Sequence, residues 1–151
     1  MGTHILTGDD SLILNDRTLT DFASADISTI TFNGDVATLE RSKNGNGVFA
    51  KNEQGYVAVL TLNLQKASGD DKFLNENMNI SKRDFASSIL LNGSFTQKIG
   101  DGVGGISKNT YLLKGGLITK LPDAKSNVAG DASQGMTSYN VTFADAEIVI
   151  R

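Results

Sequence analysis

Hydrophobic and polar residues alternate most regularly in two segments of the chain, residues 56–65 and 136–144. In the first, every second side chain is apolar, and the residues between them become polar toward Gln65. In the second, Tyr139, Val141 and Phe143 alternate with small polar residues. Successive side chains of a strand point to opposite faces. Both segments therefore predict β-strands with one buried face and one small polar face in water.

Further strands are predicted where shorter runs of apolar and β-branched residues occur. These runs are residues 12–14, 27–32, 36–41, 89–98 and 110–121. The last of them is interrupted by Gly115 and Gly116, a position where glycine in a strand commonly marks a β-bulge. The sequence predicts a bulge there.

One segment has the features of a helix start. Ser68 and Asp71 match the Ser-x-x-Asp capping box, and Asp70 adds a second negative charge at the positive end of the helix. An apolar face follows, formed by Phe73, Leu74 and Met78. The pattern predicts a helix of about nine or ten residues that packs on the sheet.

Together these elements predict a mainly β fold of the α+β class. The expected architecture is an antiparallel β-sandwich or partly open barrel with one short packed helix. The chain of 151 residues is expected to form a single domain over 1–151. Sixteen glycines against one proline indicate many tight turns and no proline-rich linker.

Two glycine-rich loops and one irregular stretch connect the predicted strands. Residues 42–55 form a loop that is long for a hairpin, and Phe49 in its middle either packs under its own loop or contacts another subunit. Residues 100–105 match Gly-x-Gly-x-x-Gly, but a strand and not a helix follows, so a hairpin turn is favoured over a dinucleotide site. Residues 122–135 are expected to form a surface excursion.

The composition provides few groups for catalysis or metal binding. There is no cysteine, and the one histidine, His4, lies near the N-terminus. The pair Asp9-Asp10 would point to opposite faces of a strand, and Asp70-Asp71 is explained by helix capping. We therefore expect no enzymatic activity, no cofactor and no metal ion.

Charge and hydropathy narrow the possible partners. The net charge of −3 does not favour a simple basic nucleic-acid-binding module. No secretion signal is visible, and the apolar runs are far shorter than the roughly 20 residues of a bilayer-spanning helix. The sequence thus predicts no stable membrane association, and the absence of cysteine suits a reducing cytosol.

Four stretches, together with the order of the predicted elements, give the chain its overall profile. They are LTDF at 19–22, GDDKFLN at 69–75, GDGVG at 100–104 and KSNVAGD at 125–131. This profile resembles the small tail tube proteins of contractile-tailed bacteriophages over nearly the whole chain. The resemblance implies a structural subunit that closes into a hexameric ring by strand pairing with its neighbours, and rings that stack into a hollow tube.

The same resemblance implies a viral, virion-tail location, with assembly in the cytoplasm of the bacterial host. The tube would lie inside a contractile sheath, contact sheath and baseplate proteins, conduct DNA during ejection, and pierce the host envelope when the sheath contracts. Two alternatives remain open. One is a tube subunit of a related contractile injection or secretion system, and the other is a monomeric β-sandwich module that binds a ligand or glycan. The second would be expected to expose aromatic residues, but the chain has no Trp and three Tyr.

Two sets of residues are the candidate functional sites under this interpretation. The polar faces of the two most regular strands are expected to line the lumen: Thr61, Asn63, Gln65, Ser138, Asn140 and Thr142. The long loop is expected to contact another subunit through Asn44, Gly45, Asn46, Gly47, Val48 and Phe49. An acidic chain is expected to give a lumen of neutral or negative sign, through which DNA passes transiently without specific binding.

Overall fold

The computed structural model describes residues 4–6, 10–22, 28–124, 130 and 135–151. Its strands are β1 (Ile5–Leu6), β2 (Ser11–Leu14), β3 (Arg17–Leu19), β4 (Ser28–Phe32), β5 (Ala37–Arg41), β6 (Gly47–Lys51), β7 (Ala58–Gln65), β8 (Leu91–Gly100), β9 (Ile106–Lys120) and β10 (Met136–Ile150). Helix α1 spans Gly69–Arg83, and two 3₁₀ turns span Glu53–Tyr56 and Phe85–Ser87.

Eight strands form one open antiparallel sheet, in the order β3-β2-β8-β9-β10-β7-β4, with β1 also paired to β8. Strands β5 and β6 form a separate two-stranded sheet. After β3 the chain crosses toward the other end of the large sheet, where Phe22 pairs with Leu64 of β7. The ends of the sheet thus approach each other without closing. The prediction of a mainly β, α+β fold with one packed helix is confirmed.

The core lies on one face of the curved sheet, as the alternating pattern predicted. The side chains of Leu60, Leu62 and Leu64 on β7 are 0% exposed, and Tyr139 on β10 is 1% exposed. Leu74 of α1 is also fully buried in this cluster, and Phe73 and Met78 pack against it. The predicted apolar face of the helix is therefore the face that contacts the sheet.

Helix α1 has fifteen residues, so the predicted length of nine or ten was wrong. The predicted start is confirmed, because the Ser68 side chain accepts a hydrogen bond from the Asp71 backbone N–H. The residues named for the predicted apolar face end at Met78, but Ile80, seven residues after Phe73, continues that face. In addition, the amide of the buried Asn77 donates to the Ile89 carbonyl at 3.0 Å, and this contact holds the second half of the helix against the segment that follows it.

Residues 42–55 do not form one long loop, which corrects the prediction. β6 pairs in register with β5, and a short turn closes the hairpin, with the Ser42 N–H donating to the Asn46 carbonyl at 2.8 Å. Gly45 has a φ of +87°, a conformation that glycine adopts easily. The predicted strand at 56–65 begins only at Ala58, since Tyr56 ends a 3₁₀ turn.

The long hairpin of β8 and β9 contains the predicted bulge. Gly115 has a φ of +67°, its N–H donates to the Asn92 side-chain oxygen at 2.8 Å, and the β8–β9 register shifts beside it. At the hairpin tip, the Asp101 carboxylate accepts from the N–H groups of Val103 and Gly105, which lowers the pKa of Asp101. The predicted turn is therefore confirmed. Residues 125–129 and 131–134 of the predicted surface excursion lie outside the described residues, as does residue 27.

Candidate assembly surfaces

A neutral polar band lies on the face of β7 and β10 that is turned away from the core. Thr61 lies opposite Asn140 and Asn63 lies opposite Ser138. The Thr61 hydroxyl donates to Asn140 Oδ1 at 3.0 Å, and the Ser138 hydroxyl donates to Asn63 Oδ1 at 2.7 Å. These hydrogen bonds cross between strands and fix the amides and hydroxyls in one continuous surface.

The remaining two residues of the predicted polar set extend this band. Gln65 lies opposite Met136 at one end, and the Thr142 hydroxyl lies 3.0 Å from the Thr119 hydroxyl of β9 at the other. All six side chains are half-buried or exposed, whereas the residues that alternate with them form the core. The structure therefore brings the six together on one face, and none of them is charged. We refer to these six residues as the polar band.

The β5–β6 hairpin exposes apolar side chains. Phe49 is 74% exposed, Val48 is 68% exposed, and Leu39, which lies directly opposite Phe49, is 45% exposed. The alternative in which Phe49 packs under its own loop is therefore wrong. An isolated two-stranded hairpin is only marginally stable in water, so this hairpin is expected to gain stability when its apolar side chains are covered.

Part of β10 is an open strand edge. β7 pairs with β10 only as far as Phe143, so residues 144–150 are paired by β9 on one side alone within the described part of the chain. Beside this edge is a groove of about 520 Å³, lined on its other side by Lys51, Glu53 and Tyr56. Unpaired N–H and C=O groups on such an edge can accept a strand from another chain.

The aspartates at the start of α1 do more than cap the helix. Asp70 is 2% exposed, and its carboxylate accepts hydrogen bonds from Arg17 Nε at 3.0 Å and from the N–H groups of Thr20 and Asp21 at 2.7 and 2.9 Å. The Arg17 guanidinium also lies over the Phe73 ring. Asp70 therefore ties β3 and the crossing segment to the helix. Sequence reasoning missed these contacts, because Asp70 and its partners are about 50 residues apart. Of the other aspartate pair, Asp9-Asp10, Asp9 lies outside the described residues.

Asp71 anchors the helix to β10 through a buried tyrosine. The Tyr139 hydroxyl donates to Asp71 Oδ1 at 2.5 Å, and Thr137 donates to the other carboxylate oxygen at 3.3 Å. Burial raises the pKa of Tyr139, and the neighbouring Asp71 carboxylate raises it further. The hydroxyl therefore stays protonated and donates over the whole neutral range.

The variant Tyr139→Phe should lose about 1 kcal/mol of stability at neutral pH, because it leaves the Asp71 carboxylate one donor short. In the wild type, the raised pKa of Tyr139 predicts stability that is constant below about pH 10, the unfolded value, and falls as the pH rises through the folded value. The variant should lose that alkaline decline. Urea unfolding at several pH values measures both effects, with Tyr56→Phe as control. An identical alkaline decline in Tyr139→Phe would contradict the assignment.

The described residues include no group of three His, Cys, Asp or Glu side chains that could hold a metal ion. Within this described part of the chain, no helix is long and apolar enough to cross a membrane.

Comparison with known proteins shows which solved structures share this fold. No protein-family model matches the sequence, and no curated protein matches it. Among solved structures, the chain is similar to one in the sheath/tube terminator of PVC, an extracellular contractile injection system, in its extended state. The TM-score is 0.58 at 11% sequence identity, over 97% of this chain and 96% of that one. This chain has the fold of a contractile injection system component.

A second solved structure agrees with the first. A chain of the PVC sheath–tube complex, also in the extended state, matches with a TM-score of 0.56 and 11% identity. The match covers 94% of this chain and 87% of that one. At 11% sequence identity, this similarity shows a shared fold, and the shared fold extends over nearly the full length of both chains.

Proposed function

We propose that this chain is a non-enzymatic structural subunit of the tube in a contractile injection machine. The observation that carries the proposal is the nearly full-length similarity of its fold to chains of a contractile sheath–tube assembly. Those chains belong to an injection system, which favours that machine over the phage tail tube of the sequence resemblance. Sheath proteins are accordingly the first partners to test.

Two surfaces of the subunit support self-assembly. The open edge of β10 at 144–150 offers backbone groups for strand pairing, and β4 is the last strand at one end of the sheet. Pairing between neighbouring copies would close the sheets into a ring, for which we propose six subunits, and would remove these edges. The exposed hairpin with Val48 and Phe49 would then contact the next ring.

The polar band is proposed to line the channel of the ring. It lies on the side of the sheet opposite the core, and its amides and hydroxyls already satisfy one another across the strands. The band itself carries no charge, and the cation opposite Asn140 on β9, Lys120, lies 3.9 Å from the Asp123 carboxylate. A polymer could slide past the band with little adhesion.

Negative-stain electron microscopy of the purified chain, together with light scattering, tests the proposal. Rings or hollow tubes are the expected result. Dispersed 16.0 kDa particles at high concentration would instead support the monomeric binding module. The similarity to a terminator suggests a second candidate role, and single rings that do not grow into tubes would favour it.

The double variant Asn63→Lys and Asn140→Lys should still assemble and should bind duplex DNA at moderate salt more tightly than the wild type. Both positions are partly solvated, so a lysine there needs no buried partner. Each ring would gain two cations per subunit on the channel wall, and the added binding should weaken steeply as salt rises. A salt-titrated binding assay on assembled tubes measures the change.

A matched control adds the same two charges to the outer surface of α1, with Asn75→Lys and Asn79→Lys, where both side chains are exposed. The control should change DNA affinity much less than the channel variant. Equal affinities of the two variants would contradict the placement of the polar band in the channel.

A further inference from the structure

Three cationic side chains lie side by side at the far end of the large sheet. Lys98 on β8 lies directly opposite Lys108 on β9. Lys108 in turn exchanges both backbone hydrogen bonds with Arg151, at 2.6 and 2.9 Å. Directly opposed residues share a face, and neighbouring strands are about 4.8 Å apart. The structure therefore aligns two lysines and an arginine across three adjacent strands, which we call the cationic row.

The cationic row is on the face turned away from the core. Phe95 and Tyr111, three residues from Lys98 and Lys108, pack against the core from the opposite face. Because side chains alternate between faces, an odd spacing places the lysines on the outer side. This is the side of the sheet that also carries the polar band.

Like charges directly opposite one another in a sheet are unfavourable, typically by a few tenths to about 1 kcal/mol. Within the described part of the chain, no carboxylate forms an ion pair with Lys108 or Arg151. The acidic residues on this face of β10 are Asp145 and Glu147, and the nearer of them, Glu147, is four positions before Arg151, about 13 Å along the strand. An anion bound beside Lys108 and Arg151 would relieve the repulsion between these two side chains.

The surface beside the row has room for such an anion. A depression of about 290 Å³ lies between β9 and β10, with Lys108 and Arg151 on its rim and Thr110, Leu112 and Val149 along its floor. Thr96 lies opposite Thr110, which puts a second hydroxyl on the same face. Cations and hydroxyls thus converge on one shallow site.

We propose that the cationic row binds the phosphate backbone of a nucleic acid. Lys, Arg and Thr are side chains that commonly contact phosphate oxygens. The nearby amides that could read base edges, Gln97 and Asn109, lie opposite each other on the other face of the sheet. Binding at the row is therefore independent of base sequence.

The position of the row in a tube rests on the proposed function. If the polar band lines the channel, the row forms a positive girdle near one end of each ring, and Asp145 and Glu147 on the same face of β10 lie between the row and the neutral band. The sequence predicted a channel of neutral or negative sign, but the net charge of −3 does not describe this face. Phosphates would be held at the girdle and not at the polar band.

The test compares the wild type with Lys108→Gln/Arg151→Gln. The probe is a short, fluorescently labelled single-stranded DNA of mixed sequence, titrated from low to moderate salt. Poly-glutamate of equal charge is the competing probe. The control variant Lys82→Gln/Arg83→Gln removes one lysine and one arginine from the exposed end of α1. If the chain is monomeric, an NMR titration with the same DNA replaces the fluorescence assay and shows which residues contact the DNA.

The wild type and the control should bind the DNA, and K108Q/R151Q should bind at least about tenfold more weakly at low salt. The slope of log affinity against log salt should fall by about 1.4, since two phosphate contacts are lost. Three results would overturn the proposal: no binding by the wild type, equal binding by K108Q/R151Q, or poly-glutamate binding as tightly as DNA. The last would identify an acidic polypeptide as the occupant.

Microscopy of the same samples separates this inference from the proposed function. DNA binding at the row by a chain that stays monomeric would support the inference and refute the tube. Tubes whose DNA affinity does not depend on Lys108 and Arg151 would refute the inference and support the tube.

Discussion

Replacing Val48 and Phe49 by serine should leave the subunit folded and abolish stacking into tubes. Both side chains lie on the exposed β5–β6 hairpin, outside the core, so their loss removes no buried contact within the chain. Val48 and Phe49 point to opposite faces of the hairpin, so if the hairpin inserts into a neighbouring ring with both faces covered, each subunit loses about 3 kcal/mol or more of apolar burial. The loss is repeated at every subunit of a ring, so tube length should collapse. Circular dichroism checks folding and negative-stain microscopy checks assembly.

Two exposed apolar residues elsewhere give a matched control. Val103 at the β8–β9 tip is 89% exposed and Phe85 after α1 is 71% exposed, so Val103→Ser/Phe85→Ser removes the same two side-chain types. The control should assemble more fully than V48S/F49S. Normal tubes from V48S/F49S would contradict a docking role for the hairpin.

Asp70→Ala should destabilise the subunit by about 3 kcal/mol, a large share of the stability of a small domain. The substitution leaves the N–H groups of Thr20 and Asp21 without their acceptor in a partly buried site, and it removes the ion pair with Arg17. Arg17→Ala should cost less, about 1 kcal/mol, because the Arg17 side chain is 43% exposed and the Asp70 carboxylate keeps the N–H donors of Thr20 and Asp21. Urea unfolding followed by circular dichroism gives both values.

The exposed Asp10 serves as the control, and Asp10→Ala should change stability by less than about 0.5 kcal/mol. An Asp70→Ala loss as small as that of the control would show that the carboxylate does not hold β3 to the helix. The double variant Arg17→Ala/Asp70→Ala should cost less than the sum of the single variants, because the two side chains interact directly.

The faces of the individual strands could be predicted from the sequence because side-chain alternation is local. In β7 and β10, the apolar positions point to the core and the polar positions point away from it, as the alternation required. The start of α1 could also be predicted, because its signal is local: Ser68 caps the residues that follow it. The end of the helix could not be predicted in this way, because Asn77 is held by the carbonyl of Ile89, which lies beyond the helix.

The tertiary structure alone decided which strands became neighbours. Lys98, Lys108 and Arg151 are isolated charges in the sequence, and only the order β8-β9-β10 makes them a row. The exposure of Phe49 likewise follows from the pairing of β5 with β6 away from the main sheet. Side-chain periodicity encodes the inside and outside of each strand within a few residues. Strand order depends on the packing of the whole core, so neither surface could be derived from the sequence.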